Sequence, residues 1–237
     1  MRKPSDLRID VAPHGATSAG GYPADPSRGT LVLAHGAGAG QRSPFMISTA
    51  RAISAQGFDV VTFDFLYVEQ RRRVPDKNPV LEASYLAVIH AVRDAVDSAK
   101  RALFIGGKSM GGRIATQAAA AHHDVNLAGI VLLGYPLHPP GRPDQRRDAH
   151  LPEVRRPMLF VQGSRDAFGT PAELSPIVER LGPSAVLHVV DGGDHSFKVS
   201  RSGQPAQAAV YDEIHRTVVD WMGSISGTSA PAPRHSA

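Results

Sequence analysis

The chain has 237 residues, no cysteine, and a hydrophobic fraction of 42%. This composition supports a full apolar core and excludes a disordered protein, and the lack of cysteine excludes disulfides, thiolate metal ligands and a cysteine nucleophile. The formal charge of +4 comes from short arginine clusters, which we interpret as solvated loop residues, with an anion-attracting surface or a nucleic-acid groove as alternatives.

The N-terminus is basic but is not followed by an apolar segment, and no run approaches the roughly 18 apolar residues of a membrane span. We therefore expect a cytoplasmic protein without a membrane partner.

Apolar runs and helix-compatible stretches alternate along the chain. Residues 1–29 are treated as an N-terminal extension with a candidate edge strand at Leu7 to Val11, followed by a turn region rich in Gly, Ala, Ser and Pro. The predicted elements of the core are strand 31–34, helix 44–56, strand 60–63, helix 80–98, strand 102–106, helix 113–121, strand 130–133, strand 158–161, helix 176–181, strand 186–190 and a last helix containing 210–221.

Several of these strands are continuous apolar runs, as in a parallel sheet covered on both faces. The alternation predicts one α/β domain over residues 30–222, with a mostly parallel central sheet and helices on both faces. The connections are too short for a separate lid domain. Residues 223–237 are rich in Gly, Ser, Ala and Pro and are expected to be a disordered tail.

The sequence Gly-Lys-Ser-Met-Gly at residues 107–111 lies between a predicted strand and a predicted helix. Gly-x-Ser-x-Gly in this context is the pattern of a nucleophile elbow, a tight turn that holds a serine hydroxyl at the top of a sheet. Small neighbours are needed there because any side chain would collide with the adjoining elements. Ser109 is therefore the predicted nucleophile.

A serine hydroxyl needs a general base, and the base needs an orienting carboxylate. In this architecture the chain order is serine, acid, histidine. Asp166 lies just past the strand at 158–161, and His195 follows the last strand, so they are the predicted acid and base. Asp191 and Asp194 are alternative candidates for the acid. Asp191 is more typical of a turn residue, and Asp194 is adjacent to the histidine, so that their side chains should point apart.

The oxyanion of an acyl-transfer intermediate needs backbone N–H donors. Met110, which follows the serine at the start of a helix, is the first predicted donor. The second is expected in the small-residue loop after the first core strand, at Ala37, with Gly38 as the alternative.

Four segments carry a resemblance to a known family: His-Gly-Ala-Gly at 35–38, Gly-Lys-Ser-Met-Gly-Gly-Arg at 107–113, Gly-Ser-Arg-Asp at 163–166 and Gly-Asp-His-Ser-Phe at 193–197. Their order resembles the α/β-hydrolase superfamily, most closely its small, lidless dienelactone-hydrolase-like branch. The resemblance covers roughly residues 30–222 and implies hydrolysis of an ester or related acyl bond by a Ser109/Asp166/His195 triad. Dienelactone hydrolases use cysteine where this chain has Ser109, which argues against their lactone substrate.

Two nucleotide-binding motifs are incomplete in this sequence. The end of a P-loop matches at residues 107–109, but the required earlier glycine is Ala102 and the interval is an apolar strand. A dinucleotide fingerprint begins at Gly36 but has Gln41 in place of its third glycine. His122 and His123 are adjacent, which is poor geometry for a metal, so no metal or other cofactor is predicted.

Four residues near strand ends are candidates for the substrate pocket, with core packing as the alternative for each. They are Phe65, Tyr67, Tyr135 and His138. Lys108, next to the nucleophile, is interpreted either as a salt-bridged structural residue or as a group near the pocket that favours anionic substrates.

The sequence thus predicts a serine hydrolase that cleaves an ester or thioester of a small acyl substrate without a cofactor. A non-catalytic binding or scaffold protein on the same fold is the second hypothesis. A basic nucleic-acid-binding protein is the third. No nucleic-acid partner is expected, because the basic clusters are not interleaved with aromatic residues as they are in single-strand binders.

Overall fold

The computed structural model describes residues 6–199 and 204–227. Within these ranges, one sheet of eight strands is accompanied by seven α-helices. The strands are β1 (Asp6–Val11), β2 (Gly15–Tyr22), β3 (Thr30–Ala34), β4 (Asp59–Phe63), β5 (Leu103–Lys108), β6 (Gly129–Leu133), β7 (Met158–Gly163) and β8 (Ala185–Val190). The helices are α1 (Pro44–Ala55), α2 (Leu66–Glu69), α3 (Asn78–Ala95), α4 (Asp97–Arg101), α5 (Met110–Ala121), α6 (Pro171–Leu181) and α7 (Gln204–Ser226).

The strand order across the sheet is β1-β2-β4-β3-β5-β6-β7-β8. The six strands from β4 to β8 are parallel, whereas β1 and β2 form an antiparallel hairpin that joins the sheet along β4. Strands β3 and β6 are buried along their whole length because they lie inside the sheet with helices over both faces. The α/β architecture predicted from the sequence is confirmed.

Two apolar layers hold the helices on the sheet. On one face, α3, α5 and α6 supply residues such as Tyr85, Ile114 and Ile177 to one core cluster. On the other face, α1 and α7 pack through residues such as Ile53 and Val218. Each fully buried side chain of this size contributes about 1.5–3 kcal/mol, so both layers are needed to hold the sheet.

The structure differs from the sequence predictions at both ends. The expected turn region after residue 11 contains a strand, β2. The sequence does not predict this strand because its Gly- and Ala-rich residues show no apolar alternation. Residues 223–226, expected in the disordered tail, are the last turn of α7. The rest of the predicted tail, 228–237, lies outside the described residues.

Helix α6 begins five residues earlier than predicted. Its first residue is Pro171, and the Glu173 carboxylate accepts a hydrogen bond from the Thr170 backbone N–H at 2.8 Å, which ties down the helix start. Pro176, taken as the helix start in the sequence, lies inside the helix. The loop after β4 also contains a short helix, α2, that the sequence did not indicate.

The topology determines where chemistry can occur. In a parallel sheet, the loops that leave the carboxyl ends of the strands meet at one edge. The segments after β3, β5, β7 and β8 carry Ala37, Ser109, Asp166 and His195 respectively, so the fold directs all four to the same edge.

Candidate active site

Ser109 is the single residue between β5 and α5. Its backbone has φ 51° and ψ −116°, a conformation that costs a non-glycine residue on the order of 1–3 kcal/mol. The surrounding backbone holds it there: the Ser109 N–H donates to the Leu133 carbonyl at 3.0 Å, and the Ser109 carbonyl accepts from the Arg113 N–H at 3.1 Å. The backbone conformation of Ser109 is therefore imposed by the surrounding structure, because an isolated serine would rarely adopt it.

The glycines around Ser109 allow the close approach of three elements. A Cβ atom on Gly107 or on Gly111 would lie 2.5 Å from the Ala34 carbonyl oxygen at the end of β3. Backbone atoms cannot yield as a flexible side chain can, so only glycine fits at these two positions. The sequence pattern of the turn therefore follows from packing.

Three side chains that the sequence singled out are hydrogen-bonded in a row. His195 Nε2 lies 2.8 Å from Ser109 Oγ, and His195 Nδ1 lies 2.8 Å from Asp166 Oδ2. Because a carboxylate only accepts hydrogen bonds, Nδ1 carries the proton and Nε2 is free to accept from the serine hydroxyl. Phe168 stacks on the imidazole with ring centroids 4.1 Å apart, which also limits its rotation.

Asp166 is fully buried, and its carboxylate is surrounded by donors. The Phe168 N–H donates to Oδ1, and the Gln162 side-chain amide donates to Oδ2, both at 2.8 Å. These bonds offset the loss of hydration of a buried charge. Asp194, weighed as a competing acid, instead accepts the backbone N–H groups of Ser196 and Lys198 at 2.8 and 2.9 Å and shapes the loop.

The two backbone groups expected as oxyanion donors, those of Ala37 and Met110, border the same cavity as Ser109 and His195. Met110 is the first residue of α5, so its N–H has no acceptor within the helix. Gly38, the alternative to Ala37, also borders the cavity.

His35, to which the sequence analysis assigned no role, orients the peptide that carries the Ala37 N–H. Its Nδ1 donates to the Gly36 carbonyl at 2.8 Å, and its Nε2 accepts from the Phe65 N–H at 3.1 Å. Because the C=O and N–H of a trans peptide point in opposite directions, the bond to Gly36 sets the direction of the Ala37 N–H. An Nε2 that accepts a hydrogen bond belongs to the neutral ring. Burial lowers the pKa of His35, which favours the same form.

The cavity in front of Ser109 has a volume of about 920 Å³. Its apolar lining includes Phe45, Met46, Leu81, Phe168 and Tyr211. Apart from Phe168, which lies two residues past Asp166, these residues carry no local signal that distinguishes them from core residues. They reach the cavity because of how the loops and helices α1, α3 and α7 assemble.

The four predicted pocket residues do not line this cavity, and that prediction is corrected. The Tyr67 hydroxyl donates to the Ala37 carbonyl at 2.8 Å, and the Tyr135 hydroxyl donates to the Arg147 carbonyl at 2.6 Å. His138 Nε2 pairs with Glu173 at 3.0 Å, and Phe65 packs edge-on against neighbouring aromatic rings. All four are buried behind the lining, where they support the loops that form it.

Lys108 lines the cavity and links the turn to the histidine loop. Its Nζ donates to the His195 carbonyl at 2.5 Å and lies 5.2 Å from the centre of the Phe197 ring. Burial lowers its pKa to about 8, although the charges of Asp166 and Asp194 oppose this shift. Lys108 thus makes a structural contact, as the first interpretation from sequence expected, although it forms no ion pair in the described residues. It also lies at the cavity, as the second interpretation expected.

The described residues, 6–199 and 204–227, contain no cluster of three or more His, Asp or Glu side chains that could hold a metal ion. The same ranges include no helix with the length and apolar character that a membrane crossing requires.

Known proteins share this fold. A lidless α/β serine hydrolase from Xanthomonas campestris superposes with a TM-score of 0.72 at 20% identity, over 98% of each chain. A dienelactone hydrolase from Anabaena variabilis gives a TM-score of 0.69 at 20% identity, over 91% of this chain and 97% of that one.

Among curated proteins, a putative phosphoribosyl transferase of Mycobacterium tuberculosis is 27% identical over 209 residues. The match covers 87% of this chain but 43% of that protein, so this chain spans less than half the length of its curated relative. The family model described as "Alpha/beta hydrolase domain" matches residues 27–223. The chain therefore belongs to the α/β-hydrolase domain family.

Proposed function

We propose that the protein is a serine hydrolase that cleaves an ester or thioester of a small acyl substrate. The observation that carries this proposal is the row of hydrogen bonds from Asp166 through His195 to Ser109, which ends on a strained turn facing the cavity. Family membership supports a hydrolase.

In the proposed mechanism, Ser109 Oγ attacks the substrate carbonyl carbon while His195 Nε2 takes the hydroxyl proton. Asp166 stabilises the imidazolium that forms and keeps the ring in its orientation. His195 then gives the proton to the leaving oxygen or sulfur, and an acyl-enzyme remains. A water molecule, deprotonated by the same imidazole, attacks the acyl-enzyme and releases the acid and the free serine.

The negative charge of each tetrahedral intermediate falls on the former carbonyl oxygen. The proposed donors to it are the backbone N–H groups of Ala37 and Met110, both of which border the cavity. Losing one such donor typically costs about 3 kcal/mol of transition-state stabilisation. The support that His35 and Tyr67 give to the loop at residues 36–38 therefore bears directly on the rate.

A small acyl substrate is proposed because no lid domain covers the site within residues 6–199 and 204–227. The cavity of about 920 Å³ is bordered by loops and helix ends of the hydrolase domain itself. The mycobacterial relative is more than twice as long as the part that matches this chain, and the residues assembled at this site suit acyl transfer.

A fluorophosphonate probe tests the proposal, because it forms a stable bond only with an activated serine. We expect the wild-type chain to be labelled and Ser109→Ala to remain unlabelled. Ser224→Ala removes an exposed hydroxyl from α7 and should label as the wild type does. Equal labelling of Ser109→Ala would refute the assignment.

A panel of p-nitrophenyl esters separates the rival functions. Turnover of a short acyl ester supports the hydrolase. No labelling and no turnover would favour the non-catalytic binding protein, and salt-dependent retention on DNA would favour the nucleic-acid-binding protein.

A further inference from the structure

One partly buried guanidinium at the cavity has a buried N–H group without a partner. Arg113 lies in the first turn of α5 and lines the cavity next to Ser109. Its Nε is buried and has no hydrogen-bond partner. Its Nη1 reaches only two neutral oxygens, those of Asn78 at 3.5 Å and Gln117 at 3.4 Å, both near the limit of a hydrogen bond.

A second guanidinium lies close to the first. Arg147, in the loop between β6 and β7, also lines the cavity, and its charge is, after burial, the largest influence that lowers the pKa of Arg113. Within residues 6–199 and 204–227, neither arginine forms an ion pair, and the Arg147 side chain forms no hydrogen bond. The charge of Glu82 opposes this effect on the pKa of Arg113, but Glu82 forms no ion pair with either arginine within the described residues.

The position of Arg113 in its helix adds to the excess of positive charge. The N-terminus of a helix carries a partial positive charge, which disfavours a cation in the first turn. The first turn of α5 contains no acidic residue that could compensate. An unpaired buried donor is also costly, so the site as a whole would be stabilised by an anion.

The rest of the lining does not supply that anion. Asp76 borders the cavity, and its Oδ1 pairs with Arg72 at 2.7 Å. Its Oδ2 is buried without a hydrogen-bond partner, so this carboxylate is not bonded to Arg113 or Arg147. The cavity also exposes the positively charged Lys108 and Lys198. Cationic groups therefore dominate the wall of the site.

We infer that Arg113 and Arg147 form an oxyanion-binding subsite, so that the substrate is an ester or thioester that also carries a carboxylate or phosphoryl group. This inference rests on the proposed function. Arg113 follows Ser109 by four residues, about 6 Å along the helix axis, so a short chain separates the anion from the carbonyl that is attacked. A guanidinium offers paired N–H donors that match the oxygens of either anion.

Calorimetry on the full chain carrying Ser109→Ala tests the subsite without turnover. Three ligands share one carbon chain: monomethyl glutarate, methyl 4-phosphonobutyrate and the neutral amide methyl 4-carbamoylbutyrate. We expect at least one anionic ester to bind at least about tenfold more tightly than the amide. The stronger of the two anions identifies the group that the natural substrate carries.

Arginine variants in the same background locate the effect. Arg113→Gln and Arg147→Gln should each lose most of the preference for the anion, and Arg113→Lys should retain part of it. Arg142→Gln removes the same charge from an exposed position in the same loop as Arg147 and should keep the preference. Because Arg147 lies in a loop and not in a helix that packs on the sheet, its variant provides the test if Arg113→Gln does not fold.

Equal binding of the amide and both anions would overturn the inference. A loss of anion preference in Arg142→Gln as large as that in Arg113→Gln and Arg147→Gln would also overturn it. Labelling by the fluorophosphonate distinguishes the two failures. A labelled wild type without anion preference refutes the subsite alone, whereas anion preference without labelling refutes the proposed hydrolysis and leaves an anion-binding site.

Discussion

The turn that holds Ser109 and the loop that carries His195 reach the same cavity by different means. The turn is enclosed by backbone atoms at the end of β3, which leave room only for glycine at residues 107 and 111. The loop at residues 191–199 is held by polar contacts, including Lys108 on the His195 carbonyl and Gln207 on the Val199 N–H. The turn of the nucleophile is thus fixed by backbone packing, whereas the base depends on hydrogen bonds as well as on packing, with Phe168 stacked on its ring and Phe197 buried in the core. Substitutions on the two sides should therefore affect different properties.

The largest effect is expected on the base side, at Asp166. Asp166→Asn keeps the size of the side chain but removes the charge that stabilises the His195 imidazolium. We expect kcat/KM for a p-nitrophenyl ester to fall by about 10⁴-fold while the circular dichroism spectrum stays unchanged.

Asp191→Asn is the matched control, since Asp191 was the other acid at a strand end, and it should retain activity. A fall below tenfold in Asp166→Asn, or an equal fall in Asp191→Asn, would mean that another carboxylate orients the histidine.

On the nucleophile side, the expected damage is to folding. A Cβ on Gly106 would lie 2.1 Å from the Val131 carbonyl oxygen in the neighbouring strand, and both groups belong to the backbone of the sheet. Gly106→Ala should therefore lower the free energy of unfolding by about 4 kcal/mol or more, measured by urea denaturation.

Gly38→Ala is the control for stability, because a Cβ there meets no atom within 4 Å. If Gly106→Ala folded with unchanged stability and lost only activity, the contrast between the two sides would be wrong.

The smallest effect should come from Lys108, which joins the two sides. Its pKa in the folded protein is about 8, against 10.5 for the free side chain, because burial penalises the charged form. Between these values the unfolded chain binds the proton and the folded chain does not, so this group makes stability rise as pH increases from about 8 to 10.5.

The measurement compares the wild type with Lys108→Met by urea denaturation at pH 7.5 and pH 9.5. The wild type should gain stability relative to the variant at the higher pH. A difference that is constant across this range would show that Lys108 keeps its proton in the folded protein.

The sequence predicted the strands and helices whose pattern is strong. Continuous apolar runs such as Ile130 to Leu133 read as buried parallel strands, and the glycines at residues 106–112 marked the turn. The positions of Asp166 and His195 followed from chain order, because the carboxyl ends of parallel strands must meet. At these positions, packing and chain topology restrict which residues can be present, so the sequence pattern has few other interpretations.

The pocket could not be predicted in the same way. Tyr67 and Phe65 follow a strand end, as a pocket residue should, but their side chains turn inward because the Ala37 carbonyl and the aromatic cluster offer better contacts than water. Met46 and Tyr211 line the cavity although they are distant in sequence from the catalytic candidates. Which face of a loop meets solvent depends on tertiary packing that no local pattern records.

The double engagement of His35 makes the backbone of the site sensitive to acid. A second proton on the ring would remove the lone pair at Nε2, and the Phe65 N–H would then face another N–H instead of an acceptor. Since burial lowers the pKa of this ring, that collision is confined to acidic solution. The ring would have to move away from the Phe65 N–H, and its bond to the Gly36 carbonyl would move with it. Activity lost in acid would then reflect this displacement as well as a protonated base, and the two causes would separate in a variant whose residue 35 cannot be charged.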